Sequence, residues 1–298
     1  MNTEVFKFSD EQSIQIRNRW NNEYVERLNN SLKDCSEKWK LTNIELIPFY
    51  SQNCIFTCFS EKYGDVVLKI GYRSLSNEYN CLREFKGRNV CKVYEYDKEN
   101  EAILEQRIIP GISLINEKSQ VERIIIFASL FQRLHITPKN IDLYLPFSDK
   151  AKRRFEYIKT REDCKVFLQM IEKAEKLFES ISAKYNDKKL LHGDLHHDNI
   201  LLYRDGKYLI IDADGTVGDP VFDVSRFIML EFGDNLTGGK DEAIKELAAK
   251  LSKCLYIPDE ILIQCLFIDN VLWLCSDLES GETLDESQFI INNIEAAA

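Results

Sequence analysis

Apolar positions recur along the chain with two different periods, and the changes of period mark the candidate elements. Ser9 followed by Gln12 reads as a capping box. Beyond it, Ile16, Trp20, Tyr24, Leu28, Leu32, Cys35 and Trp39 recur every three or four residues, which predicts one long amphipathic helix. From about Ile44 to Ile70 the pattern turns β-rich. Runs at 55–59 and 66–70 predict strands around a turn at Tyr63-Gly64-Asp65. A short helix is expected over 76–85, then strands near 90–96 and 102–105 joined by a polar turn. Pro110-Gly111 breaks this region. Helical periodicity then dominates over 121–134 and 150–184. One β-island interrupts it, because Asp205-Gly206 between apolar runs at 199–203 and 208–212 is a hairpin signal. After Pro220 the pattern is mostly helical. The expected organisation is α+β. A small β-rich N-lobe covers 1–105, a connector 106–112, and a larger, mostly helical C-lobe 113–295. Ala296-Ala297-Ala298 reads as an expression-derived tail.

Composition narrows the function. Lys plus Arg is 39 against 49 for Asp plus Glu, a formal net charge of −10. That balance argues against nucleic-acid or anionic-membrane partners, which need a basic face. It fits a cationic partner, although charge that only keeps a protein soluble is the commoner meaning. The nine cysteines are scattered without a CxxC pair, which suits a reducing compartment. The first ten residues lack a signal-peptide core, and no apolar run approaches the roughly 20 residues of a membrane span. A cytoplasmic location is expected, and the oligomeric state is not legible.

The chemistry concentrates in His192-Gly193-Asp194-Leu195-His196-His197-Asp198-Asn199, followed by Leu209-Ile210-Ile211-Asp212-Ala213-Asp214-Gly215. A zinc site on His192, His196 and His197 lacks a nearby cysteine and a helix to space the ligands. Phosphoryl transfer explains more of the pattern. It needs a carboxylate near the attacking hydroxyl and Mg²⁺ on the phosphates, and kinases place a base Asp and a Mg²⁺-binding Asn in one loop with four residues between them. Asp194 and Asn199 have that spacing, and Asp212 ends the following hairpin, where a second Mg²⁺ ligand is required.

These segments, with Gly218-Asp219-Pro220-x-x-Asp223, resemble the aminoglycoside phosphotransferase family, and within it the aminoglycoside/hydroxyurea antibiotic resistance kinase branch. Trp39-Lys40-Leu41, Leu104-Glu105-Gln106, Pro110-Gly111-x-Ser113-Leu114 and Arg133-Leu134-His135 extend the resemblance over about residues 35–235. It implies a bilobal protein-kinase-like fold and a kinase acting on a hydroxyl of a small molecule, with ATP or GTP and Mg²⁺. By that resemblance Asp194 is catalytic, and Asn199 and Asp212 are the metal ligands. Lys69 holds the α/β-phosphates and Glu78 pairs with it, with Glu84 as the rival partner. Backbone groups near Glu105 and Arg107 read the base. Asp219 and Asp223 brace the loop, and His192 and His196 are structural.

Two departures matter. The turn that covers phosphates in protein kinases is glycine-rich, whereas here it reads Ser51-Gln52-Asn53-Cys54-Ile55. Backbone amides, or the Ser51 and Asn53 side chains, are expected to cover the phosphates in place of the missing glycines. Asp212-Ala213-Asp214 stands where protein kinases carry Asp-Phe-Gly, and no Ala-Pro-Glu follows, which favours a small-molecule kinase. For the acceptor, the sequence offers Asp269, Trp273 and Asp277 on one helix face. That acidic-aromatic stripe suits a cation, but plain packing is the commoner meaning of such spacing. Two other functions share the motifs. One is a metabolic kinase for a choline-, homoserine- or sugar-like acceptor; the other is a nucleotide-binding pseudokinase.

Overall fold

A computed structural model describes residues 6–48, 53–232 and 241–279. The chain divides into two compact units, residues 1–111 with 202–211, and residues 112–201 with 212–298.

The first unit opens with α1 (Asp10–Arg19) and α2 (Asn22–Trp39). The single long helix expected here is broken at Trp20, whose φ of −122° and ψ of −100° leave the helical region. Asn21 restarts it, because its side chain accepts from the Tyr24 amide at 2.8 Å and satisfies a first-turn donor that would otherwise lack a partner. The capping box at Ser9 and Gln12 forms as expected. Lys40 ends α2 in the left-handed region and turns the chain into β1 (Leu41–Leu46). The strands β2 (Asn53–Ser60), β3 (Gly64–Gly71), β4 (Val93–Asp97) and β5 (Ala102–Gln106) follow, with α3 (Ser76–Glu84) after β3. They form an antiparallel sheet of order β1-β2-β3-β5-β4. Tyr24, Leu28, Leu32, Cys35 and Trp39 of α2 share one core cluster with Phe56, Leu68, Ile70 and Leu104 of the sheet. Each large apolar side chain so buried contributes about 1.5–3 kcal/mol. The Tyr24 hydroxyl donates to the Ile70 carbonyl at 3.0 Å.

The second unit contains β6 (Pro110–Ser113) in part, α4 (Gln120–Leu134), α5 (Phe147–Lys159), α6 (Leu168–Lys184) and β7 (Lys189–Leu191). After the hairpin strands β8 (Ile200–Tyr203) and β9 (Tyr208–Ile210) come β10 (Thr216–Gly218), α7 (Ser225–Glu231), α8 (Asp241–Leu255) and α9 (Asp259–Glu279). The helical stretch expected over 150–184 is two helices. Thr160 closes α5 by donating its hydroxyl to the Tyr157 carbonyl at 2.7 Å. α9 is the core helix, with α5, α6, α7 and α8 packed on it. By length and composition it could cross a membrane, against the sequence expectation, but 67% of its most apolar window is buried within the protein. The hairpin turn has Asp205 at φ 62° and Gly206 at φ 71°, the pair of positive angles an Asp-Gly hairpin requires.

The hairpin also corrects the expected division of the chain. Residues 202–211 belong to the first unit, because Ile210 exchanges backbone hydrogen bonds with the 89–91 segment, Cys91 N–H to Ile210 O and Ile210 N–H to Asn89 O, both 2.8 Å.

Candidate active site

In the first unit, Lys69 lies on β3 in register with Ile55 and Ile103 of the flanking strands. Its Nζ is 2.5 Å from Glu78 Oε1 on the buried face of α3, and the two side chains are only 5% and 10% exposed. Glu84, the rival partner, is half-buried at the end of the same helix. Burying two charges is tolerable only when they are paired this closely. Asn53 is half-buried and opens β2 opposite Gly71. Ser51 lies outside the described residues. Glu105 is buried on β5, opposite Val67 and Val93, and Arg107 is half-buried. The strand expected over 102–105 extends to Gln106, the first residue of the expected connector. The Gln106 amide donates to Lys92 O at 2.8 Å and the Arg107 amide to Asp65 O at 3.3 Å, so neither is spare for a nucleotide base.

In the second unit, β7 pairs with β10 and launches the His192–Asp198 loop. Asp223, 3% exposed, holds that loop from beneath. Its Oδ2 accepts from the His192 amide at 2.7 Å, its Oδ1 from the Gly193 amide at 2.8 Å, and His135 Nε2 meets Oδ2 at 2.9 Å. Burial pushes the Asp223 carboxyl upward, but His135, His192 and the Gly193 amide outweigh it and hold it below its ordinary value. Gly193 has φ +84°, and a Cβ there would stand 3.2 Å from Asp214 Cβ, so the loop needs glycine on both counts. Asp219 braces the neighbouring turn, accepting from the Asp187 and Val221 amides at 3.0 Å each. Ser113 clasps the far end of the loop, donating to Asp198 Oδ1 at 2.7 Å.

The loop's histidines have separate tasks. His192 Nδ1 accepts the Asp194 amide and His196 Nδ1 the Asp198 amide, both at 3.2 Å. His196 Nε2 is 3.4 Å from Asp194 Oδ2. His197 Nε2 faces Glu231 at 2.7 Å, and its ring stacks on Phe227 with centroids 4.2 Å apart. Arg123 pairs with the same Glu231, its Nε 3.0 Å from Oε2. Burial works against ionised Glu231, but His197 and Arg123 overcome it and bring its pKa down to about 2.

Asp194 is left with a 43% exposed side chain. Burial opposes its charge, and His196, Arg226 and His192 together hold its pKa below the usual value. An ionised, partly exposed carboxylate on a pinned loop can orient a hydroxyl and receive its proton late in a transfer, being a weak base at rest. Asn199 Nδ2 donates to the Asp194 carbonyl at 2.9 Å, which leaves its Oδ1 as the oxygen to offer a cation. Asp212 sits at φ 62° beyond β9, a left-handed position that few residues but Gly, Asn and Asp adopt readily. Amide and carboxylate oxygens are the donor types that hard Mg²⁺ takes.

Residues 64–271 match the family described as aminoglycoside/hydroxyurea antibiotic resistance kinase. The chain belongs to that family. Streptomycin 6-kinase of Streptomyces griseus is 24% identical to it over 145 residues, 48% of this chain and 47% of that protein, so the match spans about half of the relative's length. Choline kinase LicA from Streptococcus pneumoniae is similar in structure, with a TM-score of 0.66, 16% identity, and coverage of 89% of this chain and 98% of that one. The amicoumacin kinase hAmiN, solved with AMP-PNP, Ca²⁺ and Ami, has a TM-score of 0.64 at 15% identity and covers 96% of both chains. These likenesses establish the bilobal protein-kinase-like fold.

The family member carries one site residue that sequence reasoning missed. Arg226, in the first turn of α7, reaches both Asp194 and the α9 stripe. Its Nε is 3.7 Å from Asp194 Oδ1 and 3.1 Å from Asp269 Oδ2, and its guanidinium lies 4.5 Å from the Trp273 ring centroid. The only signal was its place three residues after Asp223. Asp269, Trp273 and Asp277 do share a face, with Trp273 Nε1 donating to Asp277 Oδ1 at 3.0 Å. That face is not simply acidic, because Arg226 lies on it. Burial pushes the Asp269 carboxyl up, Arg226 opposes the shift, and Asp194 adds to it.

Proposed function

We propose that this chain is a kinase that moves the γ-phosphate of ATP onto a hydroxyl of a small molecule, with Asp194 orienting that hydroxyl. The observation that carries the reading is the loop itself. An ionised, exposed Asp194 is fixed by Asp223 through two backbone amides, and Asn199 is turned by its bond to the Asp194 carbonyl so that an oxygen remains to offer. The acceptor oxygen bonds to the γ-phosphorus as the bond from the β–γ bridging oxygen breaks. ADP leaves with that electron pair, and the hydroxyl proton passes to Asp194 and then to solvent. Lys69, set by Glu78, would bind the nucleotide phosphates, and Asn199 and Asp212 would hold Mg²⁺. When bound, the cation neutralises charge on the phosphates.

The kept set of Lys69, Glu78, Asp194, Asn199 and Asp212 supports turnover over a pseudokinase, because a module that only bound nucleotide would not need Asp194 poised and exposed. Aminoglycoside-like molecules are the first acceptors to test, choline-, homoserine- and sugar-like ones the next. We place the reaction in the cytoplasm, where ATP is plentiful and the chain's cysteines, none in a disulfide, stay reduced. The test is ADP formation and acceptor mass gain across that panel, with Asp194→Ala as control. Phosphorylation that depends on Asp194 supports the reading. Nucleotide binding with no Asp194-dependent product from any acceptor supports the pseudokinase instead.

A further inference from the structure

The proposed reaction gives tasks to Asp194, Asn199 and Asp212, but none to the buried ion cluster behind the loop that carries the first two. The side chains of Glu231 and His197 are each 1% exposed, and that of Arg123 is 13% exposed. Glu231 Oε2 faces His197 Nε2 at 2.7 Å and Arg123 Nε at 3.0 Å, and Arg123 Nη2 pairs with Oε1. The remaining arm of the guanidinium, Nη1, donates to the Glu117 carbonyl ahead of α4. A two-bond fork therefore grips the carboxylate on one side and the imidazole grips it on the other. Taking such charges out of water is expensive, and well-packed apolar side chains of similar volume can fill the same space at no loss of stability. What the cluster adds over an apolar contact is a fixed direction for each partner.

The partner with a functional neighbour is His197. It is the first residue of the short turn His197–Asn199. Its carbonyl meets the Ser113 hydroxyl at 3.0 Å and accepts the Ile200 amide that closes the turn. Its ring is held by Glu231 and lies on Phe227 with the two planes 18° apart. Backbone and ring of one residue are thus both fixed. Ser113 and Glu117 belong to the same segment between β6 and α4, so the contacts close into a loop through Ser113, His197, Glu231, Arg123 and Glu117. The turn carries Asn199 two residues on, and a displacement of its first residue is passed to its third. Asn199 is only 6% exposed, so its side chain has little room to swing and make up the difference.

We propose that Glu231 is a positioning residue for the cation site. Acting through His197 and held by Arg123, it fixes the 197–199 turn so that Asn199 Oδ1 meets the metal that accompanies the nucleotide. This inference rests on Asn199 as a metal ligand. It requires Glu231 to matter to metal-dependent nucleotide binding and not to nucleotide binding without metal.

Calorimetry on the full chain tests it. The affinity for a non-hydrolysable ATP analogue is measured in EDTA and in saturating Mg²⁺, and the ratio of the two is the metal's contribution. Glu231→Gln keeps the shape of the side chain but can accept through only one terminal atom. It should cut the ratio about tenfold, the lower end of what losing a residue that orients a ligand does to a metal site, with the metal-free affinity within about twofold of wild type. His197→Gln should do the same from the other side of the contact. The double variant should lose little more than either single one, because both break the same link. Lys159→Gln breaks the Lys159–Glu175 pair between α5 and α6 and should keep the wild-type ratio. Thermal melts set a temperature at which the proteins are folded. If Glu231→Gln does not fold, His197→Gln decides. The proposal is overturned if the folded variants keep the wild-type ratio, or if their metal-free affinity falls as far as their affinity in Mg²⁺. Asn199→Ala separates the two readings. A ratio lost in Asn199→Ala but kept in Glu231→Gln and His197→Gln sinks this inference and leaves the metal ligands standing. Equal affinities with and without Mg²⁺ in the wild-type protein would overturn the metal assignment and this inference with it.

Discussion

Replacing Asp223 by Asn tests whether the loop is held as described. The new side chain would be nearly the same shape, but only one of its two terminal atoms can accept. The wild-type carboxylate receives the His192 and Gly193 amides and faces His135, all within 2.7–2.9 Å. In the variant, an NH2 group must point at one of those amides or at His135, leaving a buried donor without a partner. Hydrogen bonds to charged groups contribute about 1.5–3 kcal/mol each, and removing one partner of a buried charged cluster costs about 3–5 kcal/mol. We expect about 3 kcal/mol, since Asp223→Asn retains one acceptor. For a chain of this size that is a fall in Tm of roughly 6–12 °C. Turnover should drop further than stability alone explains, because Gly193 and Asp194 move with the loop. A displacement of about 1 Å at a reacting group is worth roughly a hundredfold in kcat. The assay is thermal denaturation beside steady-state kinetics at a temperature where both proteins are folded. A variant within about 1 kcal/mol of wild type, with kcat nearly unchanged, would refute the reasoning.

Glu231 supplies a pH prediction. Its folded pKa, about 2, lies below its ordinary value of 4.5, so its contribution is complete above about 4.5 and is lost as pH falls toward 2. Glu231→Gln should flatten the acid side of the stability curve in that window and destabilise at neutral pH by at most about 3 kcal/mol, read by urea denaturation from pH 2 to 7. Gly193→Ala adds a Cβ at φ +84° and 3.2 Å from Asp214 Cβ. It should lower stability by about 1–2 kcal/mol and reduce kcat more than it raises KM, measured by melts and initial rates. Glu78→Gln removes the buried counter-charge of Lys69 and should raise the KM for ATP with a smaller effect on acceptor KM, checked by varying each substrate separately.

Much of the site was legible because its residues are close in sequence. Asp194, Asn199 and Asp212 sit on one loop and one hairpin, whose turn chemistry is local. The pairing of Lys69 with Glu78 was expected from the family resemblance, which left Glu84 as the rival, and α3 brings Glu78 to the lysine. What was hidden depends on distant contacts. Arg226 meets Asp269 and Trp273 across 43 and 47 residues of chain, and neither propensity nor spacing encodes that meeting. The break at Trp20 was hidden for a different reason: the apolar period continues through it, and only the side-chain bond of Asn21 marks the restart. The connector was expected to begin at Gln106, whereas cross-strand pairing extends β5 through that residue.

The most direct test of the central claim separates binding from transfer at Asp194. Asp194→Asn keeps the shape of the side chain and removes the charge that faces the acceptor. ATP affinity, measured by calorimetry, should stay within a few-fold of wild type, while formation of phosphorylated acceptor falls by about a hundredfold or more. Transfer at the wild-type rate by Asp194→Asn would contradict the account.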